Sequence, residues 1–355
     1  MKKRLIAFVL GCTLATAMLA GCGGKDAAQG NAGTSEQAEE KEGSSQEEKD
    51  GAVYRVAIVQ QMDHASLDEI RVAIEAELDA KAAEEGISFE YEEFNGQNDQ
   101  TVLNQIGSQV VSDGYDCIIP IATLAAQCMQ MATEESQIPV IFAAISDPVG
   151  AGVVDDLEKP GSNVTGTSDY LDAGAILDMI FAQNPKAQTI GLLYNKSEDS
   201  STVPIQEAKE YLDEKGVKYI EKTGTTTDEV RAALDSMLDQ VDAVFTPTDN
   251  TVMAAELAIY ENFINAGVPH YTGADSFVRN GAFATCGVNY TDLGIQTADM
   301  AMDILQGADI STYPVHVMEG GIVTVNTETA KALGIDYSCF DDMCTKLEEV
   351  TTTED

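Results

Sequence analysis

Short runs of apolar residues alternate with longer amphipathic stretches along most of this 355-residue chain. The apolar runs are roughly four to eight residues long, as buried strands are, and the stretches between them carry apolar residues at helical spacing. The pattern predicts strands at 53–60, 87–94, 116–121, 139–144 and 163–167, and again at 189–194, 217–221, 243–246 and 269–272. Helices are predicted at 67–85, 100–112, 125–133, 173–183, 205–215, 228–239 and 252–266.

The alternation of strands and helices indicates the fold class. Continuously apolar strands separated by helices predict parallel sheets that are covered by helices on both faces. The rhythm starts again near residue 168, and the roughly 300 residues that follow Ala52 are too many for one compact core. We therefore predict an α/β fold with two doubly wound parallel-sheet lobes.

Small polar residues are concentrated in the loops that follow the predicted strands. Open parallel sheets bind ligands in the crevice beyond the carboxyl ends of their strands, so these loops are candidate binding loops. An alternative interpretation is that each residue begins a helix, because Ser, Thr, Asp and Asn are preferred N-caps. The candidates are Gln61, Thr123, Ser146 and Asp147 in the first lobe, and Tyr194, Asn195, Glu198, Asp249, Asn250 and Asp275 in the second.

The charges of these loops favour a small zwitterionic ligand. Backbone N–H groups at a helix N-terminus near Thr123 or Ser146 would hold a carboxylate. Glu198, Asp249 or Asp275 from the other lobe would hold an ammonium group. Aromatic residues that would line a side-chain pocket, although each fits the core equally well, are Phe142, Tyr170, Tyr194 and Phe277.

Residues for catalysis or metal binding form no recognisable pattern in the sequence. The chain has three His, and the five Cys that follow Cys22 are widely spaced, so metal-ligand spacing is absent. The sequence also lacks a nucleophile–base motif, a phosphate-binding loop and a cofactor motif. We expect a binding protein rather than an enzyme, with no cofactor and no metal. A disulfide between Cys339 and Cys344 stays open as an alternative.

The chain is strongly acidic, with 20 Lys and Arg against 60 Asp and Glu. A negative field of this size disfavours nucleic acid and electrostatic docking onto anionic lipid. We therefore expect neither partner, and charge alone does not indicate the ligand.

The N-terminus has the pattern of a secretory signal peptide. Basic residues at 2–4 precede an apolar run at 5–19 that is too short to span a membrane. The small residues before Cys22 resemble the lipobox of bacterial lipoproteins, which implies a signal peptide at 1–21 and a lipid, such as palmitate, on Cys22. An ordinary secreted protein with a chance cysteine is the alternative. The acidic segment 22–51 contains no Val, Ile, Leu, Phe or Tyr and is predicted to be a disordered tether.

Six segments along the chain, in the same order, resemble one family of proteins. They are IATLAAQCM (121–129), IPVIFAAISDPVGAGVV (138–154), PGSNVTGTSD (160–169), IGLLYNKSEDSS (190–201), VFTPTDNTVMAAE (244–256) and GAFATCGVNYTDLG (281–294). The family is that of the substrate-binding lipoproteins of ABC importers, in the branch associated with tryptophan and other aromatic amino acids. The resemblance covers residues 53–335.

This resemblance implies a type I periplasmic-binding-protein fold, in which two lobes are joined by three chain crossings. We place the crossings near 169–170, 277–281 and 313–316. The predicted organisation is 52–168 plus 281–314 for the first lobe, 169–280 plus 315–346 for the second, and 347–355 for an acidic tail.

The resemblance also implies ligand loops around Thr123, Ser146–Asp147, 194–198 and 249–250. The family loop after Tyr-Asn commonly reads Glu-x-Asn-Ser, whereas this chain has Ser200 in place of the Asn. Because an amide is missing there, the identity of the ligand stays open.

The leading hypothesis is an extracytoplasmic, lipid-anchored binding protein that captures a small zwitterion, expected to be an amino acid, with aromatic amino acids among the candidates. The protein is expected to be a monomer that delivers its ligand to a permease and an ATPase on separate chains. Alternatives are a surface sensor or adhesin, or a sugar- or nucleoside-binding protein on the same fold, for which amides are supplied by Asn95, Gln97 and Asn98.

Overall fold

The computed structural model describes residues 51–353. The predicted signal peptide, the predicted lipidation site Cys22, and the predicted tether as far as residue 50 lie outside the described residues. In the described part, no helix is both long enough and apolar enough to cross a membrane.

Strands and helices alternate throughout the described chain. The first stretch contains β1 (Val53–Gln60), α1 (Ala65–Glu85), β2 (Ser88–Asn95), α2 (Gln100–Asp113), β3 (Cys117–Ile121), α3 (Thr123–Thr133), β4 (Val140–Phe142) and β5 (Val164–Ser168). The second contains α4 (Ala173–Gln183), β6 (Thr189–Tyr194), α5 (Asp199–Lys215), β7 (Lys218–Thr223), α6 (Thr227–Asp235), β8 (Ala243–Thr246), α7 (Asn250–Ala266), β9 (His270–Thr272), α8 (Asp275–Arg279) and β10 (Ala284–Gly287). The last contains α9 (Tyr290–Leu305), β11 (His316–Val317), β12 (Ile322–Asn326), α10 (Thr327–Leu333) and β13 (Lys346–Val350).

These strands form two separate sheets, one in each lobe. The first sheet has six parallel strands in the order β11-β5-β4-β3-β1-β2. The second has seven strands in the order β13-β12-β10-β9-β8-β6-β7. The prediction of an α/β fold with two parallel-sheet lobes is confirmed, with the one exception that β10 and β12 run antiparallel.

Alternate residues of β1 show how helices cover both faces of the first sheet. Val56 and Ile58 pack with Leu67 and its neighbours on α1, whereas Ala57 and Val59 pack on the opposite face with residues of α2 and α3. A strand that is buried on both faces has no polar side to show, which is why it reads as one continuous apolar run.

The chain crosses between the lobes at three places, and two of them differ from the prediction. The first crossing lies between Ser168 of β5 and Ala173 of α4. The second lies at 288–289 rather than 277–281, because β10 belongs to the second sheet. The third lies at 318–321 rather than 313–316, because β11 pairs with β5 in the first sheet.

Two short strands explain these corrections. β10 has four residues and contains Gly287, while β11 has two exposed residues, so neither has the apolar pattern of a strand. The predicted boundaries near 281 and 315 therefore move to 288–289 and 318–321. The predicted acidic tail at 347–355 is also wrong in its first part, because β13 pairs with β12 and extends the second sheet.

The cysteines of the described part are free thiols. Cys339 is exposed, and the Cys344 thiol donates a hydrogen bond to the Phe340 carbonyl at 3.3 Å. The possible disulfide between Cys339 and Cys344 is thus not formed.

Candidate ligand-binding site

A small polar cavity lies between the two lobes, and we call it the cleft cavity. Loops that follow strands and the first turns of helices supply its walls, as expected for open parallel sheets. The lining residues are His64, Ser66, Leu67, Ala122, Thr123, Ala144 and Ser146 from the first lobe, Ser200, Thr248, Asp249, Asn250, Met253, Ala274 and Phe277 from the second, and Asp169 and Tyr290 where the chain crosses.

Seven of the predicted site residues lie on this cavity or directly beside it. Those on the cleft cavity are Thr123, Ser146, Asp249 and Asn250. The other three are Gln61, Asn195 and Glu198, which line an adjoining polar hollow. We call this hollow the vestibule; it shares Thr123, Ser200 and Asn250 with the cleft cavity.

The remaining three predicted residues are not among the lining residues of the cleft cavity. Asp147 lines a different hollow, where its Oδ1 accepts the backbone N–H of Gly150 at 2.8 Å. Asp275 pairs with Arg279, with 2.6 Å between Oδ2 and Nη1.

Tyr194 requires a correction, because its side chain packs into its own lobe. The ring is part of the second-lobe core, and its hydroxyl donates to Glu221 Oε2 at 2.7 Å. Side chains alternate along a strand, so the last residue of a strand can face the helices even though the loop after it faces the cleft.

The N-terminus of α3 reaches the cleft cavity through a strained turn. Its N-cap, Ala122, has φ 76° and ψ 163°, and its side chain provides no cap. Ala144, on the neighbouring loop, also has a positive φ of 58°. Such conformations cost about 1–3 kcal/mol each and occur chiefly at functional sites. The next turn is held by Gln61, whose Oε1 accepts the backbone N–H of Leu124 at 3.0 Å.

Glu198 and Asp249, two of the predicted ammonium ligands, are engaged by their own lobe. Glu198 Oε1 accepts the backbone N–H and the hydroxyl of Thr251, at 2.9 and 2.6 Å, and Oε2 accepts from both nitrogens of Asn250. Asp249 caps α7 with Oδ1, and its Oδ2 accepts the backbone N–H of Asn195 at 2.7 Å. Burial and the nearby Glu198 raise the pKa of Asp249. These contacts favour the helix-capping interpretation for Asp249, whereas Glu198 provides no cap for α5 and instead holds the first N–H groups of α7.

Asp169 is a site residue that the sequence analysis missed. It is 4% exposed, and its two oxygens accept the hydroxyls of Ser146 at 3.0 Å and of Tyr290 at 2.9 Å. Burial raises its pKa to about 6, and no Lys, Arg or His of the described residues forms an ion pair with it. Asp169 directly follows β5, so the rule that selected the other strand-end loops also applies to it. It was assigned to the hinge instead.

His64 is the second missed residue. It precedes α1, is buried, and has Nε2 2.9 Å from Asn250 Oδ1 across the cleft. Burial lowers its pKa, and this effect outweighs the opposite influence of nearby carboxylates. His64 lies in the loop between β1 and α1, so the rule that selects strand-end loops applies to it as well.

The two lobes are in direct contact across the site, so the structure is closed. Ser146 Oγ lies 3.1 Å from Thr248 Oγ1, and the hydroxyls of Ser66 and Ser276 form a hydrogen bond. Each pair joins a residue of the first lobe to a residue of the second.

Two doubly wound lobes that close on a polar cavity, with three crossings between them, define the type I periplasmic binding proteins. In the described part, no group of three or more His, Cys, Asp or Glu is placed to hold a metal ion. The arrangement is that of a receptor for a small molecule.

The chain belongs to the family of ABC transporter substrate-binding proteins, whose sequence profile matches residues 55–342. The members of this family are binding proteins that work outside the cytoplasm, and they are not enzymes. The predictions of this family and of a non-enzymatic role are therefore confirmed.

Relatives with a described ligand resemble this chain over nearly its whole folded part. This chain is 31% identical to the tyrosine-binding protein of Clostridioides difficile, and the alignment covers 96% of this chain and 95% of the relative. It is 32% identical to a Streptococcus pneumonia ABC domain solved in complex with L-Trp, with a TM-score of 0.76, 84% of this chain covered and 99% of that one.

A third relative bears on the conformation. It is the ligand-free, open structure of a substrate-binding protein with adhesive properties from Clostridium difficile. This chain is 34% identical to it, and the comparison covers 84% of this chain and 100% of that chain. Its TM-score is 0.64, against 0.76 for the L-Trp complex, at the same coverage of this chain. This chain as a whole therefore superposes better on the L-Trp complex than on the ligand-free, open structure.

Proposed function

We propose that this protein is the substrate-binding component of an ABC importer and that it captures an aromatic amino acid, tyrosine or tryptophan, in the cleft cavity. The relatives named for tyrosine and solved with L-Trp support this class of ligand. The cavity also offers what such a ligand needs: a carboxylate, a helix N-terminus and an apolar wall.

The buried carboxylate of Asp169 carries the proposal. An anion that is removed from water and lacks a cationic partner is costly, and an ammonium group offsets that cost. Hydroxyls of Ser146 and Tyr290 already orient the carboxylate, so the ammonium group meets a fixed partner. Asp169 thus takes the role that the sequence suggested for Glu198, Asp249 or Asp275.

The carboxylate of the ligand is assigned to the N-terminus of α3. Backbone N–H groups at the start of a helix attract anions, and Thr123 at this N-terminus lines the cavity. The strained turn at Ala122 lines the cavity at the start of this helix. The apolar wall formed by Leu67, Met253 and Phe277 is then available to the ring.

The predicted N-terminal features complete the proposed role. A lipid on Cys22 would hold the protein at the outer face of the membrane, and the acidic tether would let the folded part reach a permease. We propose that the protein acts as a monomer and delivers its ligand to permease and ATPase subunits on separate chains. Loss of fatty-acid labelling in a Cys22→Ala variant, with labelling in the unchanged chain, tests the anchor.

Isothermal titration with a panel of compounds tests the ligand. We expect L-tyrosine and L-tryptophan to bind, and D-tyrosine, glucose and adenosine not to bind, because only an L-amino acid presents its ammonium, carboxylate and ring to the three walls at once. Binding of glucose or adenosine without binding of any amino acid would overturn the assignment of the ligand and leave the fold unchanged.

Adhesion is a second candidate function, because one relative at 34% identity is a substrate-binding protein with adhesive properties. Comparing attachment of cells with and without the gene to a host surface tests it. Equal attachment removes this candidate, and it leaves ligand capture untouched.

A further inference from the structure

One buried histidine of the cleft cavity has a ring nitrogen without a protein partner. His64 lines the cavity and is 9% exposed, and its Nδ1 is buried with no hydrogen-bond partner in the described part of the chain. Most buried polar atoms are hydrogen-bonded, so an exception calls for an explanation. The other ring nitrogen, Nε2, lies 2.9 Å from Asn250 Oδ1.

Glu198 determines how the Asn250 amide is oriented. Asn250 Nδ2 lies 2.8 Å from Glu198 Oε2, and a carboxylate can only accept hydrogen bonds, so the amide nitrogen must face Glu198. The amide oxygen therefore faces His64. Because this oxygen cannot donate, His64 Nε2 must carry the proton of their hydrogen bond.

This orientation leaves Nδ1 of His64 as an acceptor. Burial lowers the pKa of His64 despite the opposing carboxylates of Glu198, Asp68 and Asp63, so the ring is neutral. A neutral imidazole has one N–H, and here it is on Nε2. The wall of the cleft cavity thus presents a lone pair that needs a donor.

The surroundings of His64 indicate which donor of the ligand would reach it. Leu67 lies in the first turn of α1, directly after His64, and Met253 follows Asn250 by three residues on α7, so Met253 lies on the same side of that helix as Asn250. Both Leu67 and Met253 line the cavity and belong to one apolar cluster. The His64–Asn250 pair therefore borders the apolar wall, where an aromatic ring would lie.

The ammonium group of the ligand has a different partner. Asp169 is held by Ser146 and Tyr290, whereas His64 is held by Asn250, so the two groups share no contact. In the described part, the carboxylates that act on His64 are those of Glu198, Asp68 and Asp63.

Building on the proposed function, we propose that His64 Nδ1 accepts a hydrogen bond from the side chain of the ligand. The site then selects aromatic amino acids that carry a donor on the ring, namely the phenolic hydroxyl of tyrosine or the indole N–H of tryptophan. Phenylalanine fits the same wall but leaves Nδ1 without a partner, and such an omission is costly in a buried site.

Two substitutions of His64 separate its two nitrogens. In His64→Asn the side-chain oxygen occupies about the position of Nδ1, so an acceptor remains. In His64→Gln the amide nitrogen is near the position of Nε2 and can donate to Asn250, but no acceptor remains at Nδ1. Titration of the full chain and both variants with L-tyrosine and L-phenylalanine gives a ratio of affinities for each protein.

We expect the unchanged chain and His64→Asn to bind L-tyrosine about ten- to a hundredfold more tightly than L-phenylalanine, and His64→Gln to show a ratio below about three. A second comparison needs no variant: 1-methyl-L-tryptophan lacks the indole N–H and should bind the unchanged chain at least about tenfold more weakly than L-tryptophan.

The outcomes distinguish the two proposals. Equal affinity of the unchanged chain for L-tyrosine and L-phenylalanine overturns the role of His64 and leaves the proposed function standing. Equal weakening of both ligands by His64→Gln also overturns it, since His64 would then act on a part of the ligand common to both. Failure of the unchanged chain to bind any aromatic amino acid overturns the proposed function itself.

Discussion

Replacing Asp169 by Asn should stabilise the free protein and weaken its binding of an aromatic amino acid. The carboxylate is 4% exposed and has hydroxyl partners but, within the described chain, no cationic partner, and burial raises its pKa from the ordinary 3.8 to about 6. The folded state therefore binds a proton more readily than the unfolded state does. Between these two pKa values, stability falls as the pH rises, and the full cost of the charge is present above about pH 6.

The size of this cost follows from the change in pKa. A rise from 3.8 to about 6 corresponds to about 3 kcal/mol at pH 7. In the variant, the Asn oxygen can still accept a hydrogen bond from one of the two hydroxyls, those of Ser146 and Tyr290. The Asn NH₂ group can donate to the other hydroxyl if that hydroxyl rotates so that its oxygen accepts. Allowing for imperfect geometry, we expect a gain of about 1–3 kcal/mol and a melting temperature about 2–6 °C higher. Without the charge, affinity for L-tyrosine should fall about ten- to a hundredfold.

Calorimetric melting at several pH values and titration with L-tyrosine measure the two effects. The gain in stability over the unchanged chain should be fully present above about pH 6 and should disappear as the pH falls below 3.8, where the carboxyl becomes protonated in the unfolded state as well. Asp147→Asn is a matched control, because Asp147 accepts only the Gly150 N–H and lies off the cleft cavity; both quantities should stay nearly unchanged. A lower melting temperature with unaltered affinity in Asp169→Asn would refute the reasoning and make Asp169 a structural residue.

Three further predictions concern pH, capping and packing. Affinity for L-tyrosine should be about tenfold lower at pH 5 than at pH 7.5, because protonation of Asp169 removes the counter-charge, and titration of Asp169→Asn should show no such dependence on this group. Asp249→Asn should change the free energy of unfolding by no more than about 1 kcal/mol in a denaturant titration, because the cost of placing an amide nitrogen against the Asn195 backbone N–H is offset by removal of a buried charge beside Glu198. Gly294→Ala should lower the melting temperature, because its Cβ would lie 2.7 Å from the backbone oxygen of Ile70 and push α9 away from α1; an unchanged melting temperature would show that the two helices can separate at little cost.

The fold was predictable because its strands are buried on both faces. Continuous apolar runs such as β1 and β6 are distinct from the helices around them, and the restart of the rhythm indicated a second lobe. The two boundary errors come from β10 and β11, which are too short for periodicity and owe their place in the sheets to pairing partners distant in sequence. The same holds for β13, whose acidic residues suggested a tail.

The candidate site was predictable as a region but not as a set of contacts. Strand-end loops indicated Thr123 and Ser146 because the topology of an open sheet brings such loops together. The sequence cannot show which carboxylates the protein itself occupies: Glu198 and Asp249 are held by backbone N–H groups of α7, whereas Asp169 has no ion-pair partner among residues 51–353. Much of that distinction depends on contacts between residues about fifty or more positions apart, such as Asp249 with Asn195, Glu198 with Asn250, and Asp169 with Tyr290.

The position of Asp169 relates the charge of a ligand to the closure of the lobes. The carboxylate lies on the first crossing and accepts from Tyr290 at the second, while Ser146, its other partner, also contacts Thr248 of the opposite lobe. Closing the lobes removes water from this carboxylate, which costs free energy unless a cation takes the place of the water. An ammonium group therefore interacts more favourably with the closed state than with the open one, and this difference is what shifts the equilibrium towards closure. A ligand without a positive charge would fill the cavity without offsetting that cost, so under the proposed function a carboxylate at the hinge would make closure selective for an amino acid.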